Sequence, residues 1–288
     1  MPELPEVEVV RRSLNTFICG LKIKKVDIFN NKLRYTISSS LKKALKNKKI
    51  ISVKRRAKFL LINIQKNNTL LIHLGMTGKI FILNKSDKTT IKTSFYYSPK
   101  ILKKHNHLGI KFNKYIELIY NDVRKFGFIK LLKTDQSNNC VNLISLGPEP
   151  LNNKFNFHYM KTRIIKCNKN IKNFLMDQKH VSGLGNIYVN EILFSSGVRP
   201  TKKIKKLTDV EIHKIIKFSK KIISKAIVLG GSSIKDFSSS SGKKGSFQQY
   251  FSVYGKKDDN CPKVRCAGKI KKIVIANRAS FFCNKCQK

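Results

Sequence analysis

Apolar residues at helical spacing mark the beginning of the chain. They recur every three or four positions from residue 3 to residue 18 and predict one amphipathic helix, at Val7, Val10, Leu14 and Ile18. Pro5 suits the first turn of this helix, Glu6 suits the positive end of the helix dipole, and Gly20 ends it.

From about residue 22 to residue 133 the pattern changes to short apolar runs separated by polar turns. Residues 58–73 predict a β-hairpin around a polar turn, residues 109–120 predict a second hairpin, and residues 126–132 predict a further strand. Many short strands at close spacing indicate an antiparallel sandwich or barrel. The polar segment 84–104 is predicted to be a long loop.

Residues 146–151 contain two prolines and a glycine and predict a linker. After them the apolar residues recur at helical spacing. A capping-box pattern from Thr208 to Glu211 then begins a helix that is predicted to end near Gly230. We therefore predict an α+β multidomain chain. Its parts are an N-terminal helix with an antiparallel β-sandwich in residues 1–148, a helical domain in residues 149–252, and a small cysteine-rich hairpin in residues 253–288.

Charge narrows the choice of partner. The 288 residues include 60 Lys and Arg but only 16 Asp and Glu, so the formal net charge is +44. This predicts binding to DNA or RNA more than to an anionic membrane, although the lysine bias of an AT-rich coding sequence also explains part of the excess. No apolar run approaches the roughly 18 residues of a spanning helix, and no signal peptide is recognisable, so we expect a cytosolic, reducing compartment.

Four of the seven cysteines have the spacing C-x4-C-x16-C-x2-C and predict one structural Zn²⁺ site, with the ligands Cys261, Cys266, Cys283 and Cys286. The interval between the two pairs suits a β-hairpin. The alternative is four free thiols in a reducing cell. Cys19, Cys140 and Cys167 are scattered and are interpreted as ordinary small apolar residues.

Met1 and Pro2 carry a second chemical possibility. Initiator methionine before proline is normally removed, and the secondary amine of Pro2 would then be a nucleophile able to form an iminium with a sugar C1′. Glu3 and Glu6 lie close by in sequence, where a carboxylate could move protons. The alternative is that Pro2 and Pro5 only begin the helix.

Several short blocks together resemble the formamidopyrimidine-DNA glycosylase family, and they follow the family order over nearly the whole chain. They are residues 1–7 (MPELPEV), 55–58 (RRAK), 73–76 (HLGM), 146–151 (LGPEPL), 175–177 (LMD), 183–188 (GLGNIY), 230–231 (GG), 235–237 (KDF), 253–255 (VYG) and the terminal cysteines. The first cysteine pair is separated by four residues where the family usually has two.

The resemblance implies a DNA repair enzyme with a β-sandwich domain, a helix–two-turn–helix motif and a zinc finger. Its expected activity is excision of oxidised purines such as 8-oxoguanine and formamidopyrimidines from double-stranded DNA, followed by strand cleavage through β,δ-elimination. It also implies a monomer in the bacterial cytoplasm, associated with the nucleoid.

Residue roles follow from the same resemblance. Pro2 would form the Schiff base, Glu3 would be the general acid/base, Lys58 would transfer a proton in β-elimination, and Arg278 would act in δ-elimination or hold a phosphate. Three residues would fill the gap left by the extruded base: Met76, Arg124 and Phe126. Further DNA or lesion contacts are expected at His105, Arg124, Lys172, Asn186 and Lys235, and residues 242–250 would close over the base.

Two alternatives remain at this point. The first is the related endonuclease VIII type, which prefers oxidised pyrimidines, although Leu4 and Val7 favour the oxidised-purine enzyme. The second is a catalytically inactive, lysine-rich protein that binds DNA or RNA. Pro2, Glu3 and Lys58 argue against that second reading.

Overall fold

The computed structural model describes residues 1–84, 86, 89–92, 102–113, 115–232 and 247–288. The chain divides into two compact units. The first contains Met1–Ile144 and Leu229–Gln248, and the second contains Ser145–Val228 and Gln249–Lys288. The three-domain division at 148 and 252 remains a prediction.

The first unit contains helices and two antiparallel sheets. Its helices are α1 (Leu4–Ile18), α2 (Ser40–Leu45) and α3 (Val141–Ile144), and its strands are β1 (Ile23–Ile28), β2 (Ile50–Arg56), β3 (Phe59–Ile64), β4 (Asn68–His73), β5 (Lys79–Asn84), β6 (Thr89–Lys92), β7 (Asn106–Phe112), β8 (Ile116–Asn121) and β9 (Phe128–Lys133). One sheet has the order β1-β7-β8-β5-β6 and the other has the order β2-β3-β4-β9. Apolar residues from both sheets and from α1 form one buried core, as expected for a sandwich.

The second unit is mainly helical. It contains α4 (Phe157–Ile165), α5 (Ile171–Met176), α6 (Asn186–Ser196) and α7 (Asp209–Val228), followed by the hairpin of β10 (Ile270–Ile275) and β11 (Arg278–Cys283). α6 is buried over most of its length, including its polar residues Asn190 and Glu191, whereas α7 has one buried apolar face. No helix among the described residues has the length and apolarity needed to cross a bilayer.

The expected α+β class is confirmed, with some differences at element boundaries. The first helix begins at Leu4, and the hairpin in residues 58–73 forms as β3 and β4. The strand predicted from residue 126 begins only at Phe128, because Asp122–Gly127 forms a tight connection. Part of the predicted loop 84–104 pairs with β5 as the strand β6, while residues 85, 87–88 and 93–101 lie outside the described residues.

Glu8 on α1 joins the helix to the four-stranded sheet. Its carboxylate accepts hydrogen bonds from Arg55 on β2 at 2.9 Å and from Arg11 at 2.7 Å. Burial alone would raise the pKa of Glu8, but hydrogen bonds from Arg11 and Arg55 lower it. Arg55 also donates to the carbonyl oxygen of Ala57, so one guanidinium fixes both α1 and the β2–β3 turn.

Replacing Arg55 by methionine should therefore destabilise the first unit. The substitution leaves a partly buried carboxylate with one partner fewer, at a cost on the order of 2 kcal/mol in the free energy of unfolding. Arg12→Met is the matched control, because Arg12 also contacts Glu8 but its side chain is 56% exposed against 11% for Arg55. Urea unfolding measures both variants, and equal effects would contradict the assignment.

Candidate active site and metal centre

The beginning of α1 holds the predicted nucleophile and acid. Pro2 is buried, and Glu3 is the N-cap residue of the helix. The Glu3 side chain accepts from the backbone N–H of Glu6, while Glu6 accepts from the backbone N–H of Glu3 at 2.8 Å. These reciprocal bonds satisfy N–H groups that a helix end otherwise leaves without partners.

Glu6 also holds a distant part of the chain. Its Oε1 accepts from the backbone N–H of Ser232 at 2.9 Å and lies 3.0 Å from the Ser232 hydroxyl, which also donates to it. Lys235 and residues 242–246 of the expected closing loop follow Ser232 and lie outside the described residues. Glu6 thus fixes the start of that segment to the first turn of α1.

Lys58 lies in the β2–β3 turn and is 95% buried, with only 5% of its surface exposed. Ala57 adopts a positive φ of 50° beside it, a conformation that a residue with a Cβ rarely adopts. The Arg55 bond to the Ala57 carbonyl stabilises this turn. The position of Lys58 therefore depends on the same guanidinium that holds α1.

The three predicted void-filling residues lie on two neighbouring connections. Met76 is 38% exposed on the β4–β5 connection, and Phe126 is 48% exposed on the β8–β9 connection. The Arg124 guanidinium stacks over the Phe126 ring at 4.6 Å from its centre. The connections touch at Gly75, where a Cβ would come within 2.5 Å of the Phe126 carbonyl carbon.

A pocket of about 630 Å³ opens beside these residues. Its lining combines apolar side chains with cationic ones and consists of Met1, Arg34, His73, Gly75, Met76, Arg124, Lys125 and Phe126. It therefore places the beginning of the chain next to all three predicted void-filling side chains.

His73 lines this pocket and belongs to a row of rings across β3, β4 and β9. It pairs with Phe59 on one side and stacks on Phe128 on the other, at 5.5 Å between ring centres. Burial, together with the charges of Lys58 and Arg34, lowers the pKa of His73 from 6.5 to about 4. Nδ1 lies 3.1 Å from the Gly75 N–H and accepts from it, so the neutral ring carries its proton on Nε2.

The four predicted zinc ligands come together at the base of the β10–β11 hairpin. Their sulfur atoms all lie within 4.8 Å of one another. Cys261 and Cys286 are 3.8 Å apart, and Cys266 and Cys283 are 3.7 Å apart. A tetrahedron with Zn–S bonds of about 2.3 Å has edges of about 3.8 Å, so these residues fit one zinc ion.

The longer spacing of the first cysteine pair is absorbed in a surface turn. Val264 is 90% exposed, and Arg265 adopts a positive φ of 59°, so the longer interval bulges outward at Val264. Gly268 is needed nearby, because a Cβ there would lie 2.5 Å from the Cys283 sulfur. The departure from the usual spacing thus leaves the ligand geometry intact.

The zinc hairpin is fixed to the helices by polar side chains. Lys172 is fully buried, and its ammonium donates to the Ala279 carbonyl at 2.9 Å and to the Ser280 hydroxyl at 2.6 Å. The Asn186 amide donates to the same Ala279 carbonyl at 3.0 Å. Lys172 therefore presents no surface to a DNA phosphate in this conformation, and it holds the hairpin instead.

Arg278 is exposed and begins β11 directly after a two-residue turn. Both turn residues, Ala276 and Asn277, have positive φ, as a tight hairpin turn requires.

His105 is half-buried in a short turn before β7, and its carbonyl accepts from the Asp122 N–H.

Four residues that shape this site had no role predicted from the sequence. His73 belongs to the block at residues 73–76, and its place at the end of a predicted strand, two residues before glycine, was the available signal. Arg34, Thr77 and Asp122 gave no sequence signal, because their contacts join segments far apart in the chain.

The fold and the two centres define a DNA glycosylase: a β-sandwich unit with a pocket at the beginning of its first helix, and a helical unit carrying a zinc hairpin. Family models match in the same order. The formamidopyrimidine-DNA glycosylase N-terminal domain covers residues 1–129, its H2TH domain covers 146–238, and a zinc finger found in Fpg and isoleucyl-tRNA synthetase covers 264–288. The chain belongs to the formamidopyrimidine-DNA glycosylase family.

Curated relatives support this membership along their full length. Formamidopyrimidine-DNA glycosylases of Haemophilus influenzae and Dinoroseobacter shibae are 40% and 36% identical over 288 residues. The alignments cover all of this chain, with 99% of the first relative and 100% of the second.

Solved structures of the family are also similar to this chain. A Lactococcus lactis Fpg mutant in complex with DNA containing Fapy-dG has a TM-score of 0.87 and 37% identity, with both chains covered completely. The Lactococcus lactis enzyme in complex with abasic-site DNA has a TM-score of 0.86 and 37% identity, with 99% of each chain covered.

Replacing Cys266 by serine should abolish stoichiometric zinc binding and unfold the hairpin, since so small a unit depends on its metal. Metal analysis and limited proteolysis of the purified protein measure the two effects. Cys19→Ser is the control, because Cys19 is an exposed thiol on the sandwich unit. Full zinc content in Cys266→Ser would contradict the four-cysteine site.

The low pKa of His73 predicts a specific acid sensitivity. Between pH 6.5 and 4 the unfolded chain binds a proton at His73 that the folded chain does not, so folded stability is present above pH 6.5 and decreases as pH falls. The loss amounts to about 3 kcal/mol and should be absent in His73→Gln. An NMR titration that places this pKa above 6 would disprove the assignment.

Proposed function

We propose that the chain excises oxidised purines from double-stranded DNA, 8-oxoguanine and formamidopyrimidines among them, and then cleaves the strand by β,δ-elimination. The observation that carries the proposal is the pocket that joins Met1 to Met76, Arg124 and Phe126. It brings the nucleophile's end of the chain beside side chains that can replace a base in the stack.

Removal of Met1 would make Pro2 a secondary amine at the edge of this pocket. Its nitrogen would attack C1′, the bond to the damaged base would break, and the product would be an iminium joining Pro2 to the sugar. Glu3 would protonate the sugar ring oxygen as C1′ is attacked. The place of Glu3 at the N-cap supports this role, because the capping bonds hold its carboxylate beside Pro2.

Strand cleavage would use the iminium as an electron sink. Lys58 would transfer the proton in β-elimination, and its fixed turn supports a defined position for its ammonium. Arg278 would act in δ-elimination. Because a guanidinium rarely gives up a proton, its first contribution would be to bind and orient a phosphate.

Base extrusion gives the exposed side chains their role. A base must leave the stack to be reached, at a cost of about a few kcal/mol. Met76 and Phe126 would fill and wedge the gap, and Arg124 would hydrogen-bond the orphaned partner base.

The remaining assigned residues would contact the DNA backbone. Asn186 begins α6, where the positive helix end favours a phosphate, and His105 and Lys235 would add further contacts. Lys172 would act through the hairpin rather than by touching DNA, as its burial indicates. The charge of +44 supports binding to undamaged DNA, and it disfavours association of copies, so we expect a monomer at the nucleoid.

Sodium borohydride trapping tests the proposal. Processed protein should form a covalent adduct with a duplex carrying 8-oxoguanine opposite cytosine, and mass spectrometry should locate the adduct on Pro2. Pro2→Gln should form none, because it retains Met1 and has no secondary amine. Pro5→Ala is the matched control, since it changes the same helix end and keeps the amine.

If the processed protein forms no covalent adduct with this duplex or with a duplex carrying an oxidised pyrimidine, the proposed enzyme mechanism is wrong. The second duplex belongs in the experiment because Lactococcus lactis Fpg has been solved in complex with DNA containing an oxidised pyrimidine. Faster trapping on that duplex would move the substrate class from purines to pyrimidines.

A further inference from the structure

The two connections that carry the void-filling side chains are neighbouring crossings between the sheets. Residues 74–78 lead from β4 to β5, and residues 122–127 lead from β8 to β9. β4 pairs with β9 in one sheet, and β5 pairs with β8 in the other. The two crossings therefore lie side by side at one end of the sandwich.

A single carboxylate binds both crossings. Asp122 is fully buried, and its Oδ1 accepts from the Thr77 hydroxyl of the first crossing at 2.5 Å. Its Oδ2 accepts from the Gly127 N–H at the far end of the second crossing at 2.8 Å. The Arg124 N–H lies 3.0 Å from the Thr77 oxygen and 3.3 Å from Asp122 Oδ1.

Asp122 is itself held in place by its backbone. Its N–H donates to the His105 carbonyl at 3.0 Å, and its carbonyl oxygen lies 3.0 Å from His107 Nε2. His107 is buried, so the carboxylate projects from a fixed point toward Thr77.

The void-filling side chains lie on exposed parts of the two crossings. Residues 123–126 are all exposed, and Lys125 adopts a positive φ of 59°, so the second crossing has a conformation that its own sequence does not favour. A crossing that enters a base stack binds more strongly when it already has its bound shape, because ordering it during binding would weaken the interaction.

We propose that Asp122 and Thr77 are positioning residues for base extrusion, an inference that rests on the proposed function. Their hydrogen bonds hold Met76 on one crossing and Arg124 with Phe126 on the other in a shared, pre-formed arrangement. This arrangement matters most when a base must be pushed from the stack, and it matters less at an abasic site, where there is no base to extrude.

The test compares two rates for each variant under single-turnover conditions. One is release of 8-oxoguanine from an intact duplex, and the other is cleavage of a duplex with a preformed abasic site. Thr77→Val removes the hydroxyl and keeps the shape, and we expect it to lower the ratio of the first rate to the second about tenfold. Thr77→Ser retains the hydroxyl and should restore the wild-type ratio.

Thr69→Val is the matched control. Thr69 is buried on β4 and also makes hydroxyl hydrogen bonds, to Asn63 and Thr134, but it lies at the other end of the strand. A general loss of folded protein would lower both rates together and leave the ratio unchanged, so the ratio separates positioning from stability.

Met76→Ala separates failure of the positioning inference from failure of the void-filling assignment. If Met76→Ala lowers the ratio while Thr77→Val behaves like Thr69→Val, the positioning inference is overturned and the proposed function stands. If Met76→Ala also leaves the ratio unchanged, the void-filling assignment fails and the positioning inference fails with it.

Discussion

The first turn of a helix must find partners for N–H groups that no backbone carbonyl of the helix can reach, and this constraint organises the active-site end of the molecule. α1 meets it with its own carboxylates, through the reciprocal bonds of Glu3 and Glu6. The proposed acid is therefore also a cap, and its orientation is set by backbone geometry. Glu6 extends the same arrangement to Ser232, so the segment that follows it starts from a fixed point.

Local patterns predicted the elements, and contacts between distant segments determined the details of the site. The spacing of Val7, Val10, Leu14 and Ile18 identified α1, because a buried helical face needs that period alone. The cysteine spacing identified the zinc ligands for a similar reason, since each pair lies within one turn. Lys172 was assigned to DNA from its position in the family pattern, yet only the tertiary structure shows that its ammonium reaches the backbone and hydroxyl of the hairpin.

The contacts of Asp122, like those of Lys172, are visible only in the tertiary structure. The strand predicted from residue 126 begins at Phe128 because residues 122–127 turn around the Asp122 carboxylate, and the Thr77 hydroxyl on the other side is 45 positions away in sequence. A hydrogen bond between residues so far apart produces no periodic pattern in the sequence. Charge was similarly unspecific: it indicated a polyanion, whereas the pocket lining combines cationic and apolar side chains with a neutral His73.

The burial of Lys172 makes the zinc hairpin and the helices a single cooperative structure. When the hairpin separates, the Lys172 ammonium loses two of its hydrogen-bond acceptors, the Ala279 carbonyl and the Ser280 hydroxyl. Asn186 loses its partner at the same carbonyl, so α6 is affected together with α5. Loss of the metal would therefore reach the helices through the loss of these hydrogen bonds, and a chelator would weaken residues far from any sulfur atom.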